Sequence, residues 1–326
     1  MPIIDFHTHM YPQEYVAALQ AGPTAYTITY DEANNPVLHS PGDYSTLVPS
    51  HRLVEVRRRA IAESELDQHV ITLPGPGTCL ETPPQSVALS RLVNDLFARL
   101  QVDHGDRLRA LGTLPMNVPE AAAAELERAI AELGLGGAMI FSNINGLPLS
   151  DERFWPLYEK ADALEAVLYI HPTFPVGVEA MQDYMLVPLV GFLTDTTLAT
   201  AGLIYSGVFE RFPKIKWVLA HLGGAVPYLA ERLDRGYEVY RPCRENISRP
   251  PSHYLKQLYY DTVNFDLKAL QFAIDFVGAD HLVAGSDYPQ HMGSVEQMLT
   301  SINALNISAA DKAGILGENA MRLLSL

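Results

Sequence analysis

Along most of the chain, short apolar, β-branched runs alternate with longer stretches whose apolar residues recur every three or four positions. The first pattern reads as strand and the second as amphipathic helix, because faces alternate on a strand and return every 3.6 residues on a helix. Strands are predicted over residues 3–9, 69–74, 108–114, 137–142, 167–171, 217–221, 258–261 and 282–286. Several are apolar on both faces, as parallel strands covered on both sides are. Helices are predicted over 120–133, 152–164, 265–277 and 294–305, and two more within the apolar stretch 186–212. Ser150-Asp151 is placed to cap the second of them. Eight strands alternating with helices predict an α/β fold, the (β/α)8 TIM barrel.

Residues 21–50 break this rhythm with Gly, Pro, Asn and Asp turns around a strand-like run at 26–30. They read as an insertion after the first strand, forming a lid or pocket wall on the face where barrel loops carry chemistry. No repeat, low-complexity tract or linker follows, so residues 1–326 read as one barrel domain.

Composition narrows the partners. The net charge of −15 disfavours phosphate backbones and anionic membranes, so neither nucleic acid nor membrane is expected. The two cysteines, Cys79 and Cys243, lie far apart and form no Cys-x-x-Cys pair. They make no disulfide framework, and any metal would be held by nitrogen and oxygen. The first strand begins almost at once, without a basic segment and a long apolar one before it. The longest apolar stretches are broken by Thr, Asp, Gly or Pro short of a membrane span. A reducing, cytoplasmic location is the expectation.

The candidate chemistry lies at the strand ends. His7 and His9 are two apart on an apolar strand, share a face, and can converge on one metal ion. In a barrel the chemistry sits at the C-terminal ends of the strands. Strand five ends in His171, strand six in His221 and strand eight in Asp287. One such histidine is ordinarily a satisfied core residue. Four histidines and an aspartate at one rim are a constellation.

The motifs His7-x-His9, His171-Pro172, His221-x-Gly223-Gly224 and Gly285-Ser286-Asp287-Tyr288-Pro289 resemble those of the amidohydrolase superfamily. More narrowly they resemble its amidohydrolase-2 branch, which contains α-amino-β-carboxymuconate-ε-semialdehyde and γ-resorcylate decarboxylases. The resemblance covers nearly the whole chain, including Ser206-Gly207-Val208-Phe209-Glu210-Arg211-Phe212-Pro213 and Arg249-Pro250-Pro251-Ser252. It implies that His7, His9, His171 and Asp287 are metal ligands and that His221 is the acid/base. Three imidazoles and a carboxylate suit Zn²⁺, and Mn²⁺ is compatible. Binuclear members of the superfamily carry a strand-four lysine. Here strand four reads Gly137-Ala138-Met139-Ile140-Phe141-Ser142-Asn143, so one divalent metal per chain is expected. His rather than Glu at position 7 resembles the semialdehyde-decarboxylase type.

Substrate residues are less sharply marked. That enzyme type places an arginine before strand two. Arg57, Arg58 and Arg59 lie in that region, and Arg52 is the best candidate to grip a substrate carboxylate. Phe174 and Tyr184 are expected to wall an apolar pocket, and His291 to face it from the Asp287 loop. Alternation puts Asp5 on the same face as His7 and His9, whereas His69 begins strand two, at the opposite rim. The resemblance implies a metal-dependent, non-oxidative decarboxylase acting on a small aromatic or unsaturated carboxylic acid, with Asp287 or His221 supplying the proton. The alternative on the same site is hydrolysis of a lactone, an amide or a carbon–carbon bond, or a hydration. A homodimer is the expectation the branch carries.

Overall fold

The computed structural model describes residues 2–40 and 43–325. Strand one, Ile4–His9, pairs in parallel with strand two, Gln68–Thr72, which pairs with strand three, Leu108–Ala110. Strand three breaks after Ala110 and resumes as Gly112–Thr113, which pairs with strand four, Gly137–Phe141. Strand five (Val167–His171), strand six (Lys216–Leu219), strand seven (Tyr259–Asp261) and strand eight (Leu282–Val283) follow in parallel order. Strand eight returns to strand one. Phe6 N donates to Ala284 O at 2.7 Å, His9 N to Tyr288 O at 2.8 Å and Asp287 N to His7 O at 2.9 Å. These bonds join the eighth strand back to the first, as closing a barrel requires.

The helices fall largely where the periodicity put them: Pro119–Ala131, Trp155–Ala163, Leu267–Val277 and Val295–Ala304. The cap ahead of Trp155–Ala163 is Asp151, which accepts from Arg153 N. The stretch 186–212 forms Phe192–Tyr205 behind a π-helical turn, then the short Val208–Arg211. Its run Val187–Tyr205 is long and apolar enough to cross a membrane by length and composition. That corrects the expectation that every apolar stretch stops short of one. Within this run Asp195 is buried and accepts from Asn143 Nδ2 at 2.8 Å and from the Ser142 hydroxyl, which docks the helix on the end of strand four.

The insertion is a three-stranded antiparallel meander, Thr27–Tyr30, Pro36–Ser40 and Asp43–Thr46. It reaches the loop after strand two: Tyr26 Oη donates to Gly77 O at 3.2 Å, and Thr24 bonds Glu81. It therefore braces the mouth of the barrel.

Strands six and eight end well before the positions their patterns suggested. At His221 and Leu222 φ is 53° and 56°, and at Asp287 it is 60°. A left-handed backbone leaves the strand, which turns His221 and Asp287 over the mouth instead of along the wall. Strand one is irregular too, with a register shift against strand two between Asp5 and Thr8. Alternation is broken there, so Asp5 does not share the face of His7 and His9. Its carboxylate accepts from Ser286 N at 3.0 Å and from the Ser286 hydroxyl, with His69 Nε2 3.8 Å away.

One glycine sets how closely strands four and five approach. Gly137 has φ +141°, and a Cβ there would lie 2.3 Å from Val167 O. Gly137→Ala should lower stability by about 2–4 kcal/mol, combining backbone strain with overpacking. Urea unfolding monitored by circular dichroism measures this.

Candidate metal centre

Four ligand atoms, one each from His7, His9, His171 and Asp287, all lie within 4.8 Å of one another, and all four residues are buried. His7 Nε2 is 3.0 Å from His9 Nε2, and Asp287 Oδ1 is 3.3 Å and 3.0 Å from these two atoms. A glycine permits the convergence. A Cβ on Gly285 would sit 2.8 Å from His7 Cβ and 3.1 Å from Asp261 Cβ.

The hydrogen bonds behind the rings fix their tautomers. His171 Nδ1 lies 2.8 Å from Pro172 O, an acceptor only, so Nδ1 carries the proton. The Thr72 hydroxyl donates to Thr8 O at 2.9 Å and so accepts from His9 Nδ1 at 2.9 Å. His7 Nδ1 donates to Asp261 Oδ2 at 2.7 Å. In each neutral ring the remaining lone pair is on Nε2, aimed at the cluster. His171 Nε2 is buried with no hydrogen-bond partner. The His9 and His171 lone pairs and the Asp287 carboxylate, crowded together in a buried site, repel one another, and a cation between them removes the conflict. The donor set fits a metal, held by His7, His9, His171 and Asp287.

Electrostatics agree. Burial holds the His171 imidazole well below its ordinary range and brings His9 down to about 4, so both stay neutral as ligands must. Burial works against the Asp287 charge, but His221, His7 and His9 outweigh it and hold the carboxyl well below its usual value. His7 differs. Burial opposes its charge, yet Asp261 and Asp287 raise it to about 10. Its second proton then sits on Nε2, where a cation would bind.

Asp261, at the end of strand seven, was not singled out from the sequence. It is fully buried and accepts from His7 Nδ1, Tyr169 Oη (2.7 Å), His221 N (3.0 Å), Leu222 N (3.2 Å) and Val263 N (2.9 Å). The signal that gave Asp287, an acid ending an apolar strand, is present there as well. His221 is held by this carboxylate through its backbone. Its Nε2 is 3.9 Å from Asp287 Oδ2, and its ring centroid lies 5.0 Å from that of His7. It stands beside the cluster without joining it.

The expected substrate residues divide. Phe174 lines a cavity of about 330 Å³ between the loops after strands two, four and five. Tyr184 is 87% exposed and walls no pocket, because a left-handed backbone at positions 184 and 185 turns the segment outward. Arg52 is engaged in the insertion, with Nε donating to Leu47 O at 2.7 Å and a terminal nitrogen 3.3 Å from Asn35 Oδ1. It lines a separate cleft with Met10, Glu14 and Arg99. His291 is exposed on its loop.

Arg57 is the buried arginine. It donates to Thr8 Oγ1 and His69 Nδ1, both at 3.1 Å, and to His9 O, and it stacks over the Tyr288 ring. It thus links the backbone of His9 to the ring of Tyr288, next to Asp287. His51 is buried against Tyr11, and burial first, with Arg57 and His9 nearby, pushes it down to about 3.

Comparison with known proteins places this geometry. The family model described as amidohydrolase (Amidohydro_2) matches residues 4–326. The chain belongs to the amidohydrolase family. It is 34% identical over 277 residues to a 2-amino-3-carboxymuconate-6-semialdehyde decarboxylase of Dictyostelium discoideum, covering 83% of this chain and 76% of the relative. It is 29% identical over 292 residues to a γ-resorcylate decarboxylase of Polaromonas sp., covering 84% and 89%. Among solved structures, a 5-carboxyvanillate decarboxylase from Sphingomonas paucimobilis superposes with a TM-score of 0.88 at 27% identity, covering 100% and 99% of the two chains. A dihydroxybenzoic acid decarboxylase from Polaromonas sp., solved with manganese and the inhibitor 2-nitroresorcinol, gives 0.84 at 25% identity, covering 100% and 97%.

Two outcomes test the centre. Asp261→Asn should keep the fold and weaken metal binding roughly 10–100-fold, as loss of a ligand's orienting partner does. Competition against a chromogenic chelator reads this. Metal uptake at pH 7 should release about one proton per chain, from His7 Nε2. Calorimetry in buffers of different ionisation enthalpy counts it.

Proposed function

We propose that this chain is a metal-dependent, non-oxidative decarboxylase of a small aromatic or unsaturated carboxylic acid, with a single divalent metal ion. The observation that carries the reading is the buried cluster of three imidazole nitrogens and one carboxylate, with His221 at its edge. The family relationship and the decarboxylases among its relatives support it. The donor set favours Zn²⁺, and the manganese in solved relatives makes Mn²⁺ the second candidate.

The bound cation supplies Lewis acidity, drawing electron density from a carboxylate and the oxygen next to it. The protein's own groups do the rest. His221 Nε2 faces the same opening as Asp287 Oδ2, so one proton can pass between this pair and the substrate. The proton goes to the carbon that bears the carboxylate. A carbon–hydrogen bond forms there as the carbon–carbon bond breaks, its electron pair stays on the carbon, and CO₂ departs. The left-handed turn at His221 and Leu222 stores local strain that Asp261 sustains by accepting both of their N–H groups. This holds the His221 ring in place before substrate arrives.

His171→Ala should lose the metal. His221→Asn should keep it and lower turnover by about 10²–10⁴-fold. CO₂ release from a panel of hydroxybenzoates, with elemental analysis of the same samples, separates the two. Turnover retained in His221→Asn would remove it from the mechanism, and two metal equivalents per chain would overturn the mononuclear site. Lactone hydrolysis without CO₂ release from any acid would overturn the decarboxylase reading.

A further inference from the structure

The cavity of about 330 Å³ is formed by the loops after strands two, four and five, at the same end of the barrel as His171. Its Thr173 and Phe174 lie two and three residues after His171 in the chain, and its Pro76 lies on the loop after strand two, whose Thr72 orients His9. Every residue lining it is uncharged. Phe141, Phe174, Leu80 and Val176 give it apolar faces. Its polar groups are largely spent. Asn143 donates to Phe174 O at 2.9 Å and Asp195 Oδ2 at 2.8 Å, and accepts from Gly146 N at 2.8 Å. Asn145 Nδ2 donates to Cys79 O at 2.8 Å, which leaves its amide oxygen for a ligand. Two arginines of the region before strand two are committed elsewhere, Arg57 to strand one and Arg52 to the insertion.

The walls are also held in shape. The Asp195 carboxylate receives the Ser142 hydroxyl, Asn143 Nδ2 and Val176 N, and Ser142 Oγ receives Thr173 N at 3.2 Å. One buried carboxylate thus pins the strand-four and strand-five loops to each other.

We propose that this cavity receives the part of the substrate that does not react, and that it selects an uncharged, flat, apolar group bearing at most neutral hydroxyl or ether substituents. The proposal rests on the decarboxylase reading and narrows it. The substrate carries the one carboxylate that faces the metal, and a second carboxylate or an ammonium on its far side is rejected. An ion pushed into this cavity would lose water and meet no opposite charge.

Non-reacting ligands test this by calorimetry on the metal-loaded protein. 2-Nitroresorcinol carries a nitro group in place of the reacting carboxylate, and 3,5-dihydroxy-4-nitrobenzoate is the same ring with a carboxylate on its far side. The first should bind at least about 100-fold more tightly, as expected when the second must bury an unpaired charge. Leu80→Arg places a cation at the rim, where Leu80 is 38% exposed, and should shrink that ratio to below about 10-fold. Val176→Arg, also at an exposed rim position, gives the same test if the first variant folds poorly. Equal affinities in the parent protein, or a ratio unchanged in a folded arginine variant, would overturn the cavity's assignment while leaving the decarboxylase reading in place. Binding of neither ligand would overturn both.

Discussion

The Asp261 carboxylate is the interaction on which the rest of the site depends. It ties together strand one through His7, strand five through Tyr169, and strand six through the backbone of His221 and Leu222. A fully buried carboxylate is costly unless its oxygens are satisfied, and these partners satisfy them. In return it fixes the His7 tautomer and supports a left-handed turn that the strand would otherwise not make. The geometry of the four-residue cluster and the placement of His221 beside it therefore share one origin.

Around that group the barrel works as a set of nested constraints. The parallel ring brings strand ends from distant parts of the sequence to one rim. Gly285 lets strands one and seven crowd close enough for His7 and Asp261 to meet. Arg57 joins the backbone of His9 to the ring of Tyr288, next to Asp287, from outside the ring of strands. The four side chains of the cluster are thus preorganised by groups outside it. The same arrangement sets His221 beside the cluster and an uncharged cavity beyond His171.

The (β/α)8 ring, its strand order and the gathering of His7, His9, His171 and Asp287 with His221 beside them were legible because each rests on a local regularity. Apolar runs end in a polar residue, and the ends of parallel strands gather at one rim whatever their separation in the chain. The substrate residues were much less legible. Arg52 and Arg57 lie five positions apart in one short region, and nothing in the sequence says which turns inward. Their roles follow from how the insertion folds back, which engages Arg52 with Leu47 and Asn35 and leaves Arg57 buried. Tyr184 misled for the same reason, since a left-handed backbone at an ordinary residue has no periodic signature.

The sequence by itself determined the architecture and the kind of chemistry, because hydrophobic period and residue type act over a few positions. Only the tertiary structure decided the tautomers, the place of Asp5, the linking role of Asp261 and the neutral cavity. Asp5 shows why. Alternation put it beside His7 and His9, and a single register shift in strand one turned it to Ser286 and His69 instead. Such features depend on which groups meet across the barrel, and that is fixed only when the whole ring closes.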